Sequence, residues 1–107
     1  MKVKIKDLKI TANDDWKKAW IKKNGNSVYK SPEYYYYKRD WRKISDWKML
    51  NNVIRCKRMD LVLDTIIEWG QLLPIKVDKK LNIITGHKRA AAMAFLGKEV
   101  IKIKYAN

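Results

Sequence analysis

The residues of this chain best suited to chemistry stand together in Ile84-Thr85-Gly86-His87-Lys88-Arg89. A glycine followed by three basic or potentially basic side chains is the pattern of a phosphate-binding helix start. The N–H groups of a helix's first turn have no partners within the helix, and the aligned peptide dipoles leave partial positive charge there. A glycine lets an anion approach the backbone closely. Gly86, His87, Lys88 and Arg89 are therefore the candidate phosphate site, for a nucleotide or a nucleic acid. His87 is also the one catalytic candidate, as a general base, against a plain surface histidine. As the only histidine it cannot belong to a histidine-based metal cluster, and no metal site is expected.

A second constellation runs from Tyr34 to Trp47, where aromatic residues interleave with Lys38, Arg39, Arg42 and Lys43. Aromatic faces stack on bases while cations take the backbone, which is sequence-tolerant nucleic-acid binding. The bland alternative packs Tyr37, Trp41 and Ile44 inward and leaves the cations solvated. Asp60, Asp64 and Glu68 share a helical face and could hold Mg²⁺, but read more simply as that helix's solvated side. Cys56 stands alone, which excludes an internal disulfide, and it reads as a small packing group.

The elements that must position these residues follow from periodicity. Lys2 to Ile10 alternates as a half-buried strand with an irregularity at Asp7. Thr11 or Asn13 can cap a helix through Trp16, Ala19 and Trp20 that stops at Asn24-Gly25-Asn26. Ser31-Pro32-Glu33 starts another helix, on which Tyr34, Tyr37, Trp41 and Ile44 recur at helical spacing. Ser45-Asp46 can cap a further helix with Trp47 and Leu50, and Asn51 to Lys57 is ambiguous. Met59 to Trp69 is an amphipathic helix stopped by Gly70. Pro74 opens a strand to Val77, Asp78 to Asn82 is a hairpin connection, and Ile83 to Thr85 returns. His87 to Leu96 is a buried helix, rich in alanine and stopped by Gly97. Val100 to Tyr105 closes the order strand, helices, strand, strand, helix, strand.

Length and charge bound the partners. A chain of 107 residues with 47% hydrophobic content is one domain with a real core. The net charge is +14, divided as +8 over residues 1–53 and +6 over residues 54–107. Such a charge repels itself, and a polyanionic partner is the usual reason to keep it. No apolar run approaches membrane-spanning length, and the alternating start is no signal core, so a cytoplasmic protein without membrane contact is expected.

The run from Asp60 to Tyr105 resembles the ParB/sulfiredoxin-like domain, also called the ParB N-terminal or ParB-like nuclease domain. The resemblance rests on Ile67-Glu68-Trp69-Gly70, Pro74-Ile75-Lys76-Val77, Gly86-His87-Lys88-Arg89, Ala90-Ala91-Ala92, Leu96-Gly97 and Val100-Ile101-Lys102-Ile103, in that order. Val3 to Leu8 looks like the family's opening strand. The likeness implies an α+β fold with a small mixed sheet and packed helices. Residues 14–58 would then form a helical insertion after the first strand, aromatic and basic, with no family counterpart. It also implies that the glycine-opened helix binds phosphate, of CTP or ATP with Mg²⁺ in some members and of nucleic acid in others, with Arg89 the firmest contact. Two departures count. His87 stands where sulfiredoxins carry their catalytic cysteine, which excludes that chemistry. Thr85 replaces an aspartate common in small members, which weakens metal or acid–base chemistry there. A chain ending at Asn107 is not expected to be a complete CTP-clamp partition protein.

The expected function is a nucleic-acid-binding module, with DNA favoured over RNA. The alternative is a nucleotide-dependent enzyme of the same fold: a kinase, an NTP hydrolase or a nuclease. Scarce carboxylates near Gly86 weigh against phosphoryl transfer, which uses such groups to hold Mg²⁺. A module for an acidic protein partner is a further alternative, and a homodimer is compatible with the sequence.

Overall fold

Three runs of alternating apolar and basic residues become strands whose apolar positions face one way. The computed structural model describes residues 1–40, 42–44 and 53–106. Among them, β1 (Lys2–Lys4), β2 (Ile75–Val77), β3 (Ile83–Thr85) and β4 (Val100–Tyr105) form one mixed sheet in the order β1-β4-β2-β3. β4 pairs antiparallel with β1 and parallel with β2, and β2 pairs antiparallel with β3. Parallel neighbours need a crossover, and the helix α4 (His87–Phe95) provides it. Ile75, Val77, Ile101 and Ile103 point into the core, while Lys76, Lys102 and Lys104 point out.

The strand expected over Lys2 to Ile10 is shorter than its alternation. It gives way at Ile5–Asp7 to a turn of 3-10 helix, and only Lys9 rejoins by isolated bridges to Ser27 and Asn82. Ile5 and Leu8 explain the break. Their three-residue spacing is the period of a 3-10 turn, which eclipses side chains at i and i+3 and buries both.

Three further helices complete the described fold: α1 (Asp15–Asn24), α2 (Pro32–Tyr37) and α3 (Val53–Trp69). Asp14, rather than Thr11 or Asn13, caps α1, its carboxylate accepting the Lys17 N–H at 2.7 Å. Ser31 caps α2, as expected. That helix does not continue to Ile44. Arg39 takes a positive φ of 57°, and the Arg39 and Asp40 N–H groups bond back to Tyr36 and Tyr35. This is a Schellman stop, made here without glycine. Trp41 of the expected stripe, the Ser45-Asp46 helix start with Trp47 and Leu50, and Asn51 and Asn52 lie outside the described residues.

The aromatic segment is woven into the core. Tyr36 and Tyr37 are buried with Val28 and Met59, the Tyr37 ring stacks on Phe95 with centroids 6.0 Å apart, and its hydroxyl donates to the Met59 carbonyl at 2.7 Å. Burial raises the Tyr37 phenol's pKa. Ala90, Ala91 and Ala92 are fully buried, so α4 packs closely against α2 and α3. The Gln71 amide takes a strand residue's place beside β4, accepting the Lys102 N–H at 2.7 Å and donating to its carbonyl at 2.9 Å.

Gly86 has φ +111°, and a Cβ there would lie 2.5 Å from Ile75 Cγ2. Both the backbone conformation and the contact exclude a side chain. Gly86→Ala is expected to cost about 2–4 kcal/mol, combining a strained φ with overpacking, measured by urea denaturation. Gly97, which has a positive φ but open space around it, is the control: Gly97→Ala should cost about 1 kcal/mol. Equal losses at the two positions would mean that the Ile75 contact is not limiting.

Candidate functional site

α1 and α2 have their first-turn donors satisfied by Asp14 and Ser31; α4 does not. Its N-cap is Gly86, and no side chain among the described residues caps its first-turn N–H groups. That uncapped end opens on a cavity of about 770 Å³. Thr85 to Arg89 form one wall, Asp14, Trp16 and Lys17 of α1 another, and Glu33, Arg55, Met59 and Val62 line the rest with Thr11 and the β2–β3 connection. Lys17, Arg55, Lys88 and Arg89 thus surround one helix N-terminus.

Glu33 is the cavity's buried acid, and only 6% of it is exposed. Lys17 Nζ donates to its Oε1 at 2.7 Å, while Oε2 is buried without a hydrogen-bond partner among the described residues. Burial works to raise this carboxyl's pKa, but the Lys17 ammonium more than offsets it, so Glu33 stays charged.

His87 serves as an acceptor. Its Nε2 receives the Thr11 backbone N–H at 3.2 Å, so the neutral ring carries its proton on Nδ1. Thr11 Oγ1 lies 3.3 Å from the same nitrogen and donates to the Ile83 carbonyl. Burial first, then the charges of Lys17 and Lys88, lower the His87 pKa to about 4, against a smaller opposing effect of Glu33. At neutral pH His87 joins the chain's first turns to α4. Lys88 is half-buried, and its pKa is lowered by burial and by Arg55, Arg58 and Lys17, with Glu33 again opposing. An anion in the cavity would relieve that crowding of like charge.

Arg89 is partly committed to the fold, donating through Nη1 to the carbonyls of Leu73 and Pro74 at 3.1 and 3.0 Å. It pins the first turn of α4 to the segment entering β2. The second candidate group lies elsewhere. Lys38, Arg39, Arg42 and Lys43 are exposed, and none lines the cavity. Lys38 sits 5.4 Å over the Tyr34 ring, Arg39 sits 4.8 Å over Tyr36 and 3.9 Å from Asp60, and Tyr36 and Tyr37 face inward. The tyrosines are used for packing and for cation–π contacts within the chain.

Asp60, Asp64 and Glu68 are exposed, and Asp60 accepts the Tyr36 hydroxyl at 3.1 Å. No group of three His, Cys, Asp or Glu residues fit to hold a metal occurs among the described residues. Cys56 packs against the core. Lys17, Glu33 and Arg55 escaped the sequence reading. The pairing of Lys17 with Glu33, 16 residues apart, leaves no local pattern to find. No helix among the described residues is long and apolar enough to cross a membrane. No family model, curated protein or solved structure matches this chain.

The lowered His87 pKa has a defined sign. Below pH 6.5 an unfolded chain's imidazole takes up a proton that the folded one refuses until about pH 4. Its stabilising contribution is therefore complete above pH 6.5 and is lost as the pH falls towards 4. An NMR titration of the single imidazole should give a midpoint near 4. A midpoint between 6 and 7, the range of an ordinary histidine, would contradict the buried acceptor role.

Proposed function

We propose that this protein is a nucleic-acid-binding module, DNA before RNA, that holds a backbone phosphate at the start of α4. The observation that carries this reading is the uncapped α4 N-terminus facing a cavity with Lys17, Arg55, Lys88 and Arg89 around it. First-turn N–H groups and lysine or arginine side chains are the donors that phosphate selects. The net charge of +14 supplies long-range attraction to a polyanion. The resemblance to ParB/sulfiredoxin-like domains supports the same place, since the glycine-opened helix is the phosphate-binding element there.

A second reading has its own observation. The cavity's volume falls in the range of about 300–1,000 Å³ typical of small-molecule sites. Glu33 Oε2 inside it has no donor among the described residues. A free nucleotide would place phosphates at α4 and offer a sugar or base N–H or O–H to Glu33. An enzyme acting on such a nucleotide is the form this alternative takes.

One titration separates the two. Labelled duplex DNA is titrated with the protein at several salt concentrations, with ATP and CTP as competitors. The expected result is affinity that falls steeply with salt, intact DNA and no competition. Lys88→Gln should lower the log–log salt slope by about 0.9, one phosphate contact, and weaken all sequences equally. A flat salt response would overturn the nucleic-acid reading. Displacement of DNA by low concentrations of either nucleotide, with thermal stabilisation of the protein, would favour the second.

A further inference from the structure

The outer face of the sheet carries a lattice of lysines. β1 presents Lys2 and Lys4 outward, β4 presents Val100, Lys102 and Lys104, and β2 presents Lys76. The register sets Lys2 directly opposite Lys102 and Lys76 directly opposite Lys104. Facing residues on paired strands stand about 4.5–5.5 Å apart, and like charges there are destabilising. Five ammonium groups therefore share a patch of about 10 by 13 Å, from strand spacing and rise. Physiological salt, with a Debye length of about 8 Å, leaves neighbours across such a patch incompletely screened. No outward position of these strands carries an acid, and none of the five lysines forms an ion pair among the described residues. Alternation buries Ile75, Val77, Ile101 and Ile103 whatever polar residue stands between them. The fold uses one of these ammonium groups, Lys102 Nζ donating to the Gln71 carbonyl at 3.4 Å, and needs only polar residues at the other four positions.

We propose that this sheet face is a docking surface for the phosphate backbone of double-stranded DNA, distinct from the α4 cavity; it rests on the nucleic-acid reading above. A duplex carries one charge per about 1.7 Å of axis, hence about eight along the 13 Å length of the patch. Five lysines are of the same order, so the face and a duplex neutralise one another over their contact. Among the outward positions of β1, β2 and β4 only Val100 is apolar. The face therefore lacks the apolar side chains with which a bilayer-surface site enters the headgroup layer. Lysine, a flexible point charge, fits backbone contact without base readout.

The test compares three full-length proteins by anisotropy with a labelled duplex across a salt series. They are the wild type, a sheet variant with Lys2, Lys4, Lys76, Lys102 and Lys104 changed to Gln, and a charge-matched control with Lys18, Lys22, Lys23, Lys79 and Lys98 changed to Gln. All ten lysines are exposed, and circular dichroism checks that each protein folds. The sheet variant is expected to lose more than tenfold in affinity at low salt, with its log–log slope lower by about 4.5, or about 0.9 for each of the five lysines. The control should change by less than threefold. Equal losses in the two variants would overturn the docking surface and leave the nucleic-acid reading standing, whereas a wild type that does not bind the duplex would end both. Wild-type binding to phosphatidylserine vesicles that is tighter than to DNA and lost in the sheet variant would assign the face to a membrane and overturn the proposal.

Discussion

The fold turns on one close contact, Gly86 against Ile75. Ile75 is fully buried in the middle of the sheet, and the start of α4 lies so near it that no Cβ fits between them. That approach sets the height of α4 above β2. Ala90, Ala91 and Ala92 then let the rest of the helix lie down on its neighbours. Arg89 fixes the first turn from the side through the Leu73 and Pro74 carbonyls. The same geometry leaves the first-turn N–H groups without a side-chain cap among the described residues, on a turn that lines the cavity. The glycine needed for packing is therefore also the N-cap that offers this helix end no side-chain cap.

Charge is organised around that end in layers. The Lys17–Glu33 pair is buried and holds α1 to α2. His87 is kept neutral by burial and by its cationic neighbours, and it accepts from Thr11. Around them Arg55, Lys88 and Arg89 line the cavity. A buried ion pair adds little net stability, because desolvation offsets most of its attraction. What it contributes here is position. It sets a negative charge 2.7 Å from Lys17, leaving Lys88 and the helix end as the cavity's less compensated positive groups. The tyrosine-rich segment supplies scaffold instead of surface, since Tyr36 and Tyr37 join α2 to α3 and α4.

Elements set by local chemistry were legible from the sequence. The alternation of Val100 to Tyr105, the Asp78 to Asn82 connection, the Ser31-Pro32 helix start and the stops at Gly70 and Gly97 are each written in a few adjacent residues, and each stands where the pattern put it. The break after Lys4 was written more faintly, in the three-residue step from Ile5 to Leu8. The early end of α2 was not written at all, because Arg39 occupies a left-handed conformation that sequence rules reserve for glycine or asparagine. Half of the site was legible. Gly86 to Arg89 announced the helix start, but Lys17, Glu33, Thr11 and Arg55 come from segments distant in sequence, and only the packing of α1, α2 and α3 around α4 brings them there. Arg89 illustrates the limit well, since a side chain read as a ligand donor also secures the backbone of its own fold.

The most direct test of the α4 cavity as the phosphate site is amide mapping by NMR, with ¹⁵N-labelled protein titrated with a short DNA duplex at low salt. The expected result is that the Lys88 and Arg89 amides shift together with Thr11, whose N–H reports on His87. Shifts confined to Lys38, Arg39, Arg42 and Lys43, with the α4 start unmoved, would contradict it.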